Sequence, residues 1–371
     1  MFIERQMTFS ATTSNWPLKI ASAVRGATRE SRAFLVAVTA QLVASAIICT
    51  AAERSMLVGL TEAYETVLAA AAIFGLMALL LALFHLRQAM DGMPVLRAYR
   101  LAWLTLRSQA LTAEYLANIA VVLVAAPLSL SAFSAAKQAI PLIKPFSWDA
   151  RIAAFGAAMH GGAHLWQIMQ PALQHPQITV AMDWFYYRMW SVVLLGTFAF
   201  GTLLRPSPLR RQYLLAIALL FLVAGTIAAL AFSSAGPVYY GQVVGASPNP
   251  YAPLLRYLRS VNDHKALMSV RGEDVLWFAY SHHVEGFGYG VSAMPSVHVT
   301  SATLTALFGF GFSRILGFVL GLFAVGIWIA SVNLGWHYTL DGYVGAILAC
   351  SIWWFAGRAT RHHGSKALSH Q

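Results

Sequence analysis

The stretch from Met294 to Asp341, MPSVHVTSATLTALFGFGFSRILGFVLGLFAVGIWIASVNLGWHYTLD, carries two charged residues, Arg314 and Asp341. Its apolar runs cover 297–313 and 315–333, and a third, 338–356, begins as the stretch closes. A helix needs about 20 apolar residues to cross about 30 Å of hydrocarbon. Three such runs joined by short turns read as an up-down-up set of membrane helices. That topology brings Met294-Pro295-Ser296-Val297-His298, at the start of the first run, to the same membrane face as Gly335-Trp336-His337-Tyr338-Thr339-Leu340-Asp341, at the start of the third.

Working outward, five further runs lie near 34–51, 66–86, 114–136, 186–204 and 212–232. The chain of 371 residues is 58% hydrophobic and 11% charged, too apolar for a protein with a polar surface on all sides. The expected fold is all-α: a polytopic membrane helix bundle with about eight transmembrane helices. The chain divides into an N-terminal segment (1–33), N-terminal transmembrane helices (34–136), a catalytic membrane domain (137–356) and a tail (357–371).

Lys and Arg favour the cytoplasmic side of short flanking segments. They cluster here between Arg5 and Arg32, between Arg87 and Arg107, from Arg205 to Arg211, at Arg314 and from Arg358 to Lys366, alternating with the acidic first loop. Both chain ends are therefore expected inside, the long loops 137–185 and 233–296 outside, and His298 and His337 at the outer face. The expected setting is a bacterial inner membrane, the site facing the periplasm. Residues 1–33 lack an apolar core, so the first run reads as an uncleaved signal-anchor. The same bias accounts for the net charge of +11, so nucleic acid is not an expected partner. Cys49 and Cys350 are expected at different membrane depths, which excludes a disulfide between them.

The two motifs suit phosphate chemistry. Proline is tolerated in a first helical turn, so the run after Met294 is expected to start at Pro295, with free N–H groups and the Ser296 hydroxyl facing an anion. Gly335 permits a tight reversal, and a helix opening at His337 stacks Asp341 against it one turn later. A carboxylate on one imidazole nitrogen leaves the other free to act.

With Pro295, Ser296 and His298 in a Pro-Ser-x-His motif and His337 and Asp341 in a His-x-x-x-Asp motif, the chain resembles the type 2 phosphatidic acid phosphatase superfamily. Its variants, Ala-Met-Pro-Ser-Val-His and His-Tyr-Thr-x-Asp, look closest to the branch that includes inositol phosphorylceramide synthase and sphingomyelin synthase. The resemblance extends upstream to Gly236–Tyr240 and 145–156. It implies catalysis by His298, His337 and Asp341: His337 attacks phosphorus to form a phosphohistidine, Asp341 orients it, and His298 protonates the leaving oxygen and then activates the acceptor. It implies no metal or other cofactor, and a phospholipid, sphingolipid or polyprenyl phosphate as substrate. Phosphate binding would fall to Ser296 and, in an approximate first motif one residue short, to Lys265 and Arg271, with Arg256 and Arg259 as other sources of positive charge. The chain departs from the family six residues before His337, where phosphatase members carry Arg and this chain has Ser331. Three outcomes fit these residues: a synthase-like transferase, a lipid or polyprenyl phosphate phosphatase, and a non-catalytic lipid-binding or transport protein.

Other signals read less sharply. His160 and His164 have metal-ligand spacing, but Gly161 and Gly162 lie between them and no third ligand is near, so a loop or interfacial role is expected. His282, His283 and Glu285 precede an aromatic, glycine-rich stretch, Phe287 to Gly290, that either lines an acceptor site or forms a solvated loop. Trp184, Phe185, Tyr186, Tyr187 and Trp190 read as an interfacial aromatic belt.

Overall fold

The computed structural model describes residues 16–88, 94, 96, 97, 100, 101, 104 and 112–365. Arg5, Arg107 and Lys366, three of the residues in the charge pattern, lie outside these. The described residues form helices and no strands. In chain order the principal helices are α1 (Trp16–Glu30), α2 (Arg32–Ala51), α3 (Leu60–Gln88), α4 (Ala113–Ile143), α5 (Asp149–Met159), α6 (Leu165–Leu173) and α7 (Pro176–Trp184). They continue with α8 (Trp190–Leu203), α9 (Pro208–Leu219), α10 (Ala252–Asn262), α11 (Met268–Ser281), α12 (Val297–Phe310), α13 (Arg314–Asn333) and α14 (Thr339–Ser365).

Among the described residues six helices are long and apolar enough to cross a membrane: Arg32–Ala51, Leu60–His85, Ala113–Ile143, Pro208–Ala231, Arg314–Asn333 and Thr339–Arg361. The chain is an integral membrane protein by that measure. Two of the eight expected spans do not qualify. The run at 297–313 forms only the 14 residues of α12, about 21 Å at 1.5 Å per residue, because the chain leaves the helix at Gly311. The run at 186–204 opens in a π-helical turn, Phe185–Met189, that carries Arg188 and two tyrosines, so its apolar part is confined to the 14 residues of α8. Exposed apolar side chains on α3 and α13, such as Ile73, Leu80, Phe318 and Leu322, give the bundle the surface that hydrocarbon requires. A polar pair crosses its interior: Gln41 of α2 donates to Ser45 and, across the bundle, to Thr226, each at 2.9 Å.

α12 packs between α13 and α14, the arrangement that the up-down-up reading requires. The expected starts of two helices shift by two residues. α12 begins at Val297 with Ser296 as its N-cap, so Pro295 lies outside the helix. α14 begins at Thr339, so His337 sits in the turn before it and Asp341 in its first turn. α4 runs unbroken to Ile143 through Pro127 and Pro141, so the expected division at 136/137 falls inside one helix.

Candidate active site

The reversal after α13 is built on Gly335, whose φ of +74° lies in the left-handed region that glycine enters without a Cβ clash. The Ser331 carbonyl accepts from Trp336 N and His337 N at 3.0 and 3.2 Å, which folds the turn back on the end of α13. The turn is anchored from outside by Asp149, at the N-terminal end of α5. Its Oδ1 accepts from Gly236 N at 2.8 Å and from the Tyr338 hydroxyl at 2.8 Å, and both carboxylate oxygens lie 3.0 Å from Ala235 N. Burial pushes the Asp149 carboxyl above its ordinary range, and the Gly236, Tyr338 and Ala235 donors pull it back. Gly236, with φ +104°, is pressed against this turn: a Cβ there would meet the Trp336 carbonyl oxygen at 2.6 Å. This explains why the 145–156 and Gly236–Tyr240 stretches accompany the histidine motifs. They hold the turn that carries His337.

His337 is 6% exposed and its Nδ1 lies 3.3 Å from Asp341 Oδ2. The same oxygen accepts from Tyr338 N at 2.9 Å, which fixes the carboxylate. A carboxylate on Nδ1 selects the tautomer with its proton there and leaves Nε2 as a lone-pair nitrogen. The backbone ties the two motifs together directly, because Ser296 N donates to the Asp341 carbonyl at 3.1 Å. The side chain of Ser296 is fully buried and caps α12 by accepting from Val299 N at 3.4 Å. Its hydroxyl serves the helix end rather than facing open space.

His298, in the first turn of α12, is held by rings. Tyr186 stacks on it with centroids 4.5 Å apart and 21° between planes, and Trp190 lies at 4.0 Å. Trp190 is fixed in turn by donating its indole N–H to Ser301 Oγ at 3.0 Å. The belt at the start of the fourth run therefore becomes, in part, the wall of a site. The imidazoles of His298 and His337 face each other with centroids 6.2 Å apart. Both open onto one cavity of about 360 Å³, closed on other sides by Tyr187, Trp336 and Phe287.

The cation in this cavity comes from a helix that the motifs do not include. Lys137 of α4 lines it, and among the described residues it is the single Lys or Arg that does. Lys265 and Arg271 are exposed and line no part of it. Arg259 is committed to Glu273 at 2.9 Å and Asp274 at 3.4 Å. At the position where the family pattern has Arg, Ser331 and its neighbour Ala330 are both 0% exposed, packed where no guanidinium fits.

The remaining signals fall around the site. His164 caps α6 and its Nδ1 lies 3.2 Å from the Tyr251 hydroxyl, while His160 pairs with Gly156 O and Tyr343. Among the described residues no cluster of His, Cys, Asp and Glu has the form of a metal site. Phe287, Gly288 and Gly290 line the cavity, whereas His282 and His283 do not. The loop is latched to the N-terminal helices through Arg54 to Glu285 at 2.8 Å and through Gly288 N to Ser134 Oγ at 2.8 Å.

The fold and site define a helical membrane protein with two facing histidines, one of them carboxylate-bound, over a cavity with a lysine. The chain belongs to the PAP2 superfamily, whose model matches residues 150–355. No curated protein and no solved structure gives a match. Membership and the apolar helices fit a membrane phosphatase or phosphotransferase acting on lipid phosphates.

Proposed function

We propose that the protein is a lipid phosphotransferase or phosphatase that works through a phosphohistidine on His337, at the outer face of a bacterial inner membrane. One observation carries the reading: His337, with its Nδ1 on Asp341, faces His298 across 6.2 Å in a cavity that also holds Lys137. In the first step Nε2 of His337 forms an N–P bond as the P–O bond to the leaving group breaks, and protonated His298 gives that oxygen its proton. In the second, His298 takes the proton of the acceptor hydroxyl while its oxygen bonds to phosphorus and the N–P bond breaks. Asp341 stabilises the imidazolium form of His337 in both steps. Charge on the non-bridging phosphate oxygens needs a fixed cation in a site sheltered from water, and Lys137 fills the role that Ser331 leaves vacant.

Within this chemistry we favour a transferase resembling inositol phosphorylceramide synthase, on the motif variants and on the absence of the phosphatase-type arginine. The phosphatase differs only in taking water as acceptor. Purified protein in lipid nanodiscs, given lipid phosphates and phosphodiester lipids with and without inositol, separates the readings. A new phosphodiester lipid that depends on His337 marks a transferase, and free phosphate that depends on it marks a phosphatase. Turnover undiminished in His337→Ala overturns the mechanism, and silence across the panel favours the non-catalytic lipid-binding protein.

A further inference from the structure

A second polar cavity, of about 500 Å³, opens at the opposite end of the bundle. It lies where α1 meets α2, beside the start of α9 and the far part of α14, at Ala359 and Thr360. Asp341 to Ala359 is about 27 Å along α14 at 1.5 Å per residue, so this cavity is separate from the histidine site.

Its walls carry four guanidinium groups, Arg29, Arg32, Arg210 and Arg211, and one carboxylate, Glu30. Glu30 is already engaged, both of its oxygens accepting from Arg211 Nη1 at 2.9 and 3.1 Å. Arg210 is 0% exposed and has no carboxylate within ion-pair distance among the described residues. Its Nη2 donates to the carbonyls of Asn118 and Thr202 at 2.9 and 3.5 Å, while its Nε and Nη1 have no partner among the described residues. Arg211 Nε and the buried Ser31 hydroxyl are also unpartnered. Guanidinium cannot shed its proton, so a buried one with no carboxylate in ion-pair contact leaves positive charge beneath this wall that favours an anion in the cavity. The fork of N–H groups matches phosphate oxygens, and Phe34 and Leu214 give the wall an apolar flank.

We infer that this cavity binds a phosphate group, either on the headgroup of an anionic phospholipid or as a soluble phosphate. The inference stands on different residues from the chemistry at His337 and does not depend on it. Arg210, buried in the cavity wall, supplies fixed positive charge behind it, while the exposed Arg29 and Arg32 stand at the rim.

The test uses the full chain, stripped of lipid in detergent, with its melting temperature measured against phosphatidylglycerol, phosphatidylcholine and inorganic phosphate. Because Arg210→Gln alters a buried group and can fail to fold, the rim double variant Arg29→Gln/Arg32→Gln carries the comparison. The expected result is a rise of several degrees with phosphatidylglycerol, little with phosphatidylcholine, and an apparent affinity at least about tenfold weaker in the double variant. A matching rise with inorganic phosphate alone identifies a soluble anion as the occupant; a rise confined to phosphatidylglycerol identifies the lipid. Equal stabilisation by phosphatidylcholine and phosphatidylglycerol, no response to any of the three, or a response unchanged in the double variant overturns the assignment.

Discussion

His337 and His298 reach one cavity from the starts of two neighbouring helices, yet they are held by opposite means. His337 is hydrogen-bonded to a carboxylate that is itself fixed by Tyr338 N, and its turn is pinned by Asp149. His298 is held by the rings of Tyr186 and Trp190, and among the described residues no hydrogen bond ties its ring nitrogens to the protein. The contrast matches the two tasks proposed for them. A nucleophile gains from one fixed tautomer, whereas a group that gives up a proton and takes one back must keep its nitrogens free of permanent partners.

The comparison can be broken in order of expected effect. His337→Ala is expected to abolish both turnover and labelling of the protein by radioactive phosphate from a lipid substrate; labelling that persists would place the covalent step elsewhere. His298→Ala should lower kcat by about 10²–10⁴, the usual contribution of general acid–base catalysis, while leaving His337 intact. A substrate with a leaving group that needs no proton should recover much of the first step, and no recovery would argue against His298 as the acid. Lys137→Met is expected to cost about 10²-fold, as removal of one charge-stabilising group does, with partial recovery in Lys137→Arg. If both variants keep full activity, the cation has another source.

Asp341→Asn keeps the size of the side chain and removes its charge. It should leave a slow enzyme, because the carboxylate that fixes the tautomer of His337 is lost, read as a lower kcat in the same assay. The smallest effect on chemistry is expected at Asp149. Asp149→Asn should destabilise the protein by about 1–3 kcal/mol through its buried donors, measured as a lower melting temperature. A loss of activity without loss of stability would instead make Asp149 a partner in catalysis.

Much of this was legible in the sequence. The four-residue spacing of His337 and Asp341 predicts their contact, and it forms although the helix starts two residues late, because Asp341 reaches back over its first turn. The bundle and six of its spans follow from apolar length alone. Lys137 was hidden by a boundary: a run ending at 136 assigns it to a loop, whereas α4 continues to Ile143 and carries it into the cavity. A single lysine inside so apolar a helix is costly, and that cost was the available signal. The work of Asp149 depends on Tyr338, 189 residues away, a pairing that no local pattern encodes. Lys265 and Arg271 lie outside the cavity for the converse reason. Their spacing imitates a motif, but the connection between α10 and α11 leaves Lys265 in the open, and Arg271 stands on the exposed side of α11.

The hydrogen bond from Ser296 N to the Asp341 carbonyl sets the separation of the two imidazoles from the main chain. The cation is not under that control, since Lys137 stands on a helix that precedes the matched segment, 150–355. The proposed bond-breaking pair and the proposed phosphate-holding cation are therefore positioned by separate parts of the bundle. On the proposed roles, a change confined to α4 would alter how the phosphate is held and leave the two histidines and their spacing untouched.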